Sequence, residues 1–197
     1  MTASPLTDEL SRLQLSLSAN IETKLRIYVT ELEHWKRKVN LTALEGSDLC
    51  RRLVAEPCWI GRKLQMSGKL LDLGSGNGSP GVPLLLGCGL RGVHLVEARL
   101  KRAAFLRHIA TRLDERERIV VQKTRLEDLD SPPKDIEWIT LQGVRPVPAL
   151  VDALKRLFIP TTRVVWITAR GREWQAGSTI FVPQSNTAAS ILQLDQF

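Results

Sequence analysis

A doubly wound α/β fold is the class that this chain of 197 residues predicts: a mostly parallel sheet with helices on both faces and a helical extension at the N-terminus. Three observations predict it. From Lys69 onward, five short apolar runs bounded by turn residues succeed one another as strands do: "KLLDL", "GVHLVE", "RIVVQ", "DIEWITL" and "TRVVWIT". Helical spacing fills several of the gaps between them, and strand–helix alternation builds a parallel sheet. Ahead of Lys69 the apolar period is helical throughout. The chain therefore divides into a helical cap over residues 1–66, packed on a core over 67–197.

Each element has its own signal. Thr7 is placed to cap a short helix carrying Leu10, Leu13 and Leu17. Asn20 precedes a longer one, with Ile21, Leu25, Tyr28, Leu32 and Trp35 in a single stripe at steps of three and four. Ser47 opens a third, whose inner face holds Leu49, Leu53 and Ile60. In the core, "KRAAFLRHIATRL" gathers Ala104, Phe105, Ile109 and Leu113 on one side, and "PVPALVDALKRLF" gathers Leu150, Leu154 and Leu157. The last segment lacks a helical pattern and reads as two strands about a "PQSN" turn, with Pro183 favouring an edge position.

Composition narrows the class of function. Hydrophobic content of 43% with 25% charged residues is that of a folded globular chain. The apolar runs are too short to span a bilayer, and "MTASPLTDELSRLQ" lacks the basic and apolar regions of a secretory signal, so a cytoplasmic protein is expected. Cys50, Cys58 and Cys88 form no C-x-x-C pair and His34, His94 and His108 are scattered, so no metal site is expected and the thiols read as core. A net charge of +7 points to an anionic partner, nucleic acid first. One Tyr and four Phe do not supply an extended base-stacking platform, so phosphate contact and shape are the expected mode.

The chemistry concentrates in "LLDLGSGNGSPGVPLLL", residues 70 to 86. A strand ends in Asp72-Leu73, and a loop of glycines follows where doubly wound sheets bind their ligands. There is no Gly-Lys-Ser/Thr, so this is not a P-loop. Gly76, Gly78 and Gly81 spell the dinucleotide fingerprint, but two residues late relative to the strand. Asp72-x-Gly74-x-Gly76-x-Gly78 is the acidic-glycine register of S-adenosylmethionine (SAM) methyltransferases, whose cationic cofactor has no pyrophosphate to cradle. Glu97 closes the next strand, where a carboxylate can accept from two ribose hydroxyls; that placement alone fits NAD as well as SAM.

With "HWKRKVNLTAL", "LLDLGSGNGSPGVPL", "VEARLKRAAFLRHIA", "VQKTRLEDL" and "GVRPVPAL", the chain from about Leu25 to Gly171 resembles the RsmG (GidB) methyltransferases, which methylate N7 of a guanine in small-subunit ribosomal RNA. The resemblance implies a Rossmann-like SAM-dependent methyltransferase fold, SAM as cofactor and the small ribosomal subunit as partner, with no metal and no membrane. It implies that Asp72, Gly74, Gly76, Ser79 and Glu97 belong to the cofactor site, with Leu126 and Glu127 flanking the adenine. Arg145 stands for the family's arginine facing cofactor and substrate, where it would position one of them. Lys101, Arg102 and Arg170 stand for its basic residues toward RNA.

Departures from the family pattern cluster on the RNA side. The arginine–histidine pair ahead of the first strand is here "CRRLVAEPC", the residues around Arg145 are Val144, Pro146 and Val147, and Lys36 replaces an Asn beside Trp35. Two other readings stay open on these grounds: a methyltransferase of the same fold with another substrate, and a non-catalytic RNA- or ribosome-binding module. Two further motifs are set aside. "DSPPK" has Lys134 where amino-methyltransferases carry a base-stacking aromatic, and it precedes the fourth strand. Pro57-Cys58 lies on a helical stretch ahead of the glycine loop, unlike the nucleophile of cytosine C5 methyltransferases.

Overall fold

The computed structural model describes residues 4–125, 128–129, 133–144, 147–174 and 177–194. Four helices lead: α1 (Pro5–Arg12), α2 (Ala19–Val39), α3 (Gly46–Cys50) and α4 (Glu56–Lys63). A π-turn over Arg51–Ala55 joins α3 to α4 into one continuous rod. The core then alternates: β1 (Lys69–Leu73), α5 (Gly81–Gly87), β2 (Gly92–Val96), α6 (Leu100–Arg112), β3 (Ile119–Gln122), β4 (Ile136–Gln142), α7 (Pro148–Leu157) and β5 (Arg163–Ala169). A hairpin of β6 (Ser178–Phe181) and β7 (Thr187–Gln193) ends the described chain.

The seven strands run in the order β3-β2-β1-β4-β5-β7-β6. β1 to β5 are parallel to their neighbours, and β7 inserts antiparallel between β5 and β6. β1 is central, with four of its five residues buried, which is why it reads as a continuous apolar run rather than an alternating one. Its register pairs Leu71 with His94 on one side and Ile139 on the other.

Helices cover the two faces unequally. α1 to α6 share one continuous apolar cluster with Leu70, Val93 and Trp138 of the sheet, whereas α7 packs Leu150 and Leu154 against Leu71, Ile139 and Val164 on the other face. Leu25, Tyr28 and Leu32 of the α2 stripe are completely buried, each contributing about 1.5–3 kcal/mol. Polar ties reinforce the seam: Glu31 of α2 accepts from His108 and Arg112 of α6, both at 2.8 Å, and Lys24 pairs with Glu115 at 2.6 Å.

Several boundaries differ from the sequence expectation. Ser4, not Thr7, caps α1, accepting from the Thr7 N–H, because Pro5 pre-sets the first helical turn. Gln14, at φ +54°, ends that helix before Leu17. Ser18 caps α2 by accepting from the Ile21 N–H, which puts Asn20 inside the helix. Glu45, rather than Ser47, is at the N-cap of α3. On α6 the buried alanines are Ala103 and Ala110, and Ala104 faces solvent, since the stripe also takes in Leu106. Pro183 sits in the turn between β6 and β7, and β6 is the edge strand. Among the described residues no helix is long and apolar enough to cross a membrane.

The α4–α5 contact is so close that a Cβ on Gly61 would lie 2.5 Å from both Cys88 Sγ and Leu84 Cδ2. Gly61→Ala should therefore destabilise the chain by about 1–3 kcal/mol through overpacking. The measurement is the denaturant midpoint, and a midpoint equal to that of the unsubstituted chain would contradict this packing.

Candidate active site

The chain order reverses direction across the sheet between β1 and β4, and the crevice beyond their carboxyl ends is where such folds receive ligands. The loop after β1 occupies it. Gly74, at φ +69°, lies so close under Val144 that a Cβ would come within 2.5 Å of Val144 Cγ2. Gly76, at φ +50°, is open above: a Cβ there would meet nothing nearer than Gly74 O at 3.6 Å and Arg102 Nη1 at 3.7 Å. This is a backbone-lined cradle that side chains would fill.

Glu97 holds the cradle in shape. Its carboxylate is buried, with Oε2 accepting from the Gly76 N–H at 3.0 Å and Oε1 from the Arg99 N–H at 2.7 Å. The backbone N–H groups of Gly74 and Ser75 both donate to Val96 O, so the loops after β1 and β2 move as one. From the other side, Tyr28 donates its hydroxyl to Asn77 O at 3.0 Å, and Asn77 Nδ2 reaches Leu41 O at 3.4 Å. The N-terminal helices thus brace the loop directly.

Asp72 lies beneath the cradle rather than in its mouth. It is 1% exposed, accepts from Thr140 Oγ1 at 2.7 Å, and turns Oδ2 toward the backbone of Gly81. Burial raises its carboxyl from the ordinary 3.8 to about 7, opposed by hydrogen bonding from Thr140 and the loop and assisted by the negative charge of Glu97. Ser79, also buried, donates Oγ to Gln142 Oε1 at 3.2 Å and its N–H to Asn77 Oδ1 at 2.9 Å.

The basic residues divide. Arg102 donates to Asn40 O at 2.9 Å, which joins the start of α6 to the end of α2 beside Gly76. Arg99, Lys101 and Arg107, at and along α6, and Arg37 and Lys38, in the last turn of α2, are exposed. Lys36 and Arg112 are neutralised by Glu33 and Glu45 and by Glu31. Arg170 is placed elsewhere, at the end of β5, where it donates to Val182 O at 2.9 Å and lies over the Phe181 ring. Leu126, Glu127 and Arg145 fall outside the described residues.

Next to the cradle, over the ends of β4 and β5, opens a cleft of about 890 Å³. Gln142, Gly143 and Val144 form one wall and Ile167, Thr168 and Ala169 another, with Arg52, Glu56, Arg172 and Thr187 closing it. Glu56 is buried and fixed, accepting from Ser185 Oγ at 2.5 Å and Thr187 Oγ1 at 2.6 Å. The π-turn over 51–55 immediately precedes it and sets Arg52 and Glu56 on the same cleft. Sequence reasoning missed this wall. The available signal was a carboxylate inside the apolar stretch "LVAEPCWI". A second cavity, of about 680 Å³, lies at the opposite ends of the strands, and its Lys24, Arg62 and Arg118 all bond to protein groups. Cys58 is fully buried, and among the described residues no group of His, Cys, Asp or Glu could hold a metal ion.

Known proteins resemble this chain in sequence and in fold. The family model GidB, described as rRNA small subunit methyltransferase G, matches residues 21–190. A ribosomal RNA small subunit methyltransferase G of Halorhodospira halophila is 33% identical over 156 residues, covering 79% of this chain and 73% of that one. Its counterpart in Granulibacter bethesdensis is 28% identical over 184 residues, covering 88% and 84%. Among solved structures, a mutant of MtNAS in complex with S-adenosylmethionine superposes with a TM-score of 0.60 at 13% identity, over 87% of this chain and 75% of that one. The putative methyltransferase yhhF from Escherichia coli gives 0.52 at 13%, over 67% and 78%. These likenesses show a common fold.

The raised carboxyl of Asp72 makes a pH prediction. A group whose folded value lies above its unfolded one contributes most to stability at low pH, and that contribution fades as pH climbs from about 4 to about 7. The melting temperature of Asp72→Asn relative to the unsubstituted chain should accordingly rise across that window and level off above it. A difference that stays constant with pH would refute the assignment.

Proposed function

The chain belongs to the GidB family of rRNA small subunit methyltransferases, a SAM-dependent methyltransferase acting on 16S ribosomal RNA, and on that premise we propose that it methylates N7 of a guanine within the small ribosomal subunit. The observation that carries this reading is the backbone-lined cradle at the β1–β4 crevice, held by the buried Glu97 carboxylate and opening onto a nucleotide-sized cleft. A cytoplasmic location follows from such a substrate.

The residues present fit SAM. The open space over Gly76 admits the cofactor against the backbone, and each Glu97 oxygen, having accepted one N–H, retains capacity for a ribose hydroxyl. Gly74 to Ser79 would hold the methionine end; Asp72 supports that loop from below. Leu126 and Glu127 are proposed to flank the adenine, and Arg145 to position base or donor. Bound SAM supplies a methyl group on a sulfonium, already activated for displacement.

What remains for the protein is positioning and exclusion of water. Guanine N7 offers a free lone pair, so no proton has to be removed before attack and no side chain need act as a base. Exposed Arg37, Lys38, Arg99, Lys101 and Arg107 are available to the phosphates of a folded RNA, and binding should weaken as salt rises.

The test is methyl transfer from labelled SAM to small subunits isolated from cells lacking this modification, with the product nucleoside identified by mass spectrometry. N7-methylguanosine in 16S RNA is the expected product. Label on another base, or none, would overturn the reading.

A further inference from the structure

Gln142 stands where the cofactor cradle meets the acceptor cleft. It is the last residue of β4, and its Oε1 accepts from Ser79 Oγ at 3.2 Å. Ser79 is itself buried and fixed through its N–H to Asn77 Oδ1. The carbonyl end of the amide is thereby committed to the loop. Its Nε2 end meets no acceptor among the described residues, on a side chain that lines the cleft of about 890 Å³. Gln142 thus offers the acceptor site a donor.

We infer that Gln142 selects guanine as the methyl acceptor, an inference that rests on the guanine-N7 reading above. The edge of guanine that carries N7 also carries O6, an acceptor, whereas the same edge of adenine carries the N6 amino group, a donor. An N–H held beside the reacting position bonds O6 of guanine and faces the amino group of adenine donor to donor. Discrimination of this kind is strong because the rejected base leaves buried polar groups unpaired. The bond to Ser79 adds registration: one side chain touches the loop that holds the methyl donor and the base that receives it. Arg52 and Arg172, exposed at the cleft and without a side-chain partner among the described residues, lie where the phosphates flanking an inserted base would pass.

A purely structural role, in which Gln142 only steadies Ser79, is separable. Gln142→Glu keeps an oxygen for Ser79 Oγ and replaces the donor by an acceptor. Gln142→Met keeps the length and removes both polar atoms, and it stands in should the first variant fail to fold. S-adenosylhomocysteine affinity by calorimetry and kcat/KM on unmodified small subunits are read for each variant. The expected result for Gln142→Glu, which keeps the bond to Ser79, is cofactor affinity within about twofold of the unsubstituted chain, with kcat/KM lowered by about 10-fold to 100-fold; for Gln142→Met it is a fall in kcat/KM larger than any fall in cofactor affinity. Unchanged kcat/KM in the variants, while the unsubstituted chain yields N7-methylguanosine, overturns the inference and leaves the proposed function standing. An equal loss of cofactor affinity and transfer also overturns it, by showing that Gln142 serves the loop alone. A product other than N7-methylguanosine from the unsubstituted chain overturns both.

Discussion

The site depends on one carboxylate. Glu97 directly follows β2, and its two oxygens hold the backbone of Gly76 on one loop and Arg99 on the next. A glycine-rich loop has little to hold it open, because glycine loses more conformational freedom on ordering than any other residue. Two backbone N–H groups from different loops donate to this one side chain, and together they set the curvature of the cradle. The same geometry leaves each oxygen able to take a further donor, so the group that shapes the loop is also chemically suited to hold a ribose.

The helical N-terminus serves that loop as well as the core. Tyr28 is buried in the α2 stripe, but its hydroxyl ends on Asn77 O, and the chain just beyond α2 receives Asn77 Nδ2 and Arg102. Burial of an aromatic ring thereby becomes a constraint on the glycine loop. Glu56 does the equivalent on the far side of the cleft, pinning the α3–α4 rod to Ser185 and Thr187 of the β6–β7 hairpin. The cleft over the ends of β4 and β5 is assembled from helix, sheet and hairpin together.

What was legible in the sequence follows physical range. The five parallel strands and the glycine loop are local signals: apolar runs closed by turn residues, and a strand end followed by positions that exclude side chains. Helix ends were less legible because Ser4 and Thr7, and Ser18 and Asn20, are competing caps a few residues apart. The π-turn leaves no periodic mark within five residues. The cleft over the ends of β4 and β5 could not be read at all. Arg52, Gln142, Thr168 and Thr187 become neighbours only when β4, β5 and β7 pair and the α3–α4 rod crosses their ends. Glu97 was legible as a strand-end acid, whereas its grip on Gly76 needed coordinates.

The central claim is that the loop from Gly74 to Ser79 is built to receive SAM. Calorimetric titration with S-adenosylhomocysteine tests it most directly, comparing the unsubstituted chain with Gly74→Asp, whose side chain would have to enter the space of Val144 at a φ of +69°. The account predicts one site of micromolar affinity that the substitution abolishes. Absence of binding to the unsubstituted chain, or equal binding by both, would contradict it.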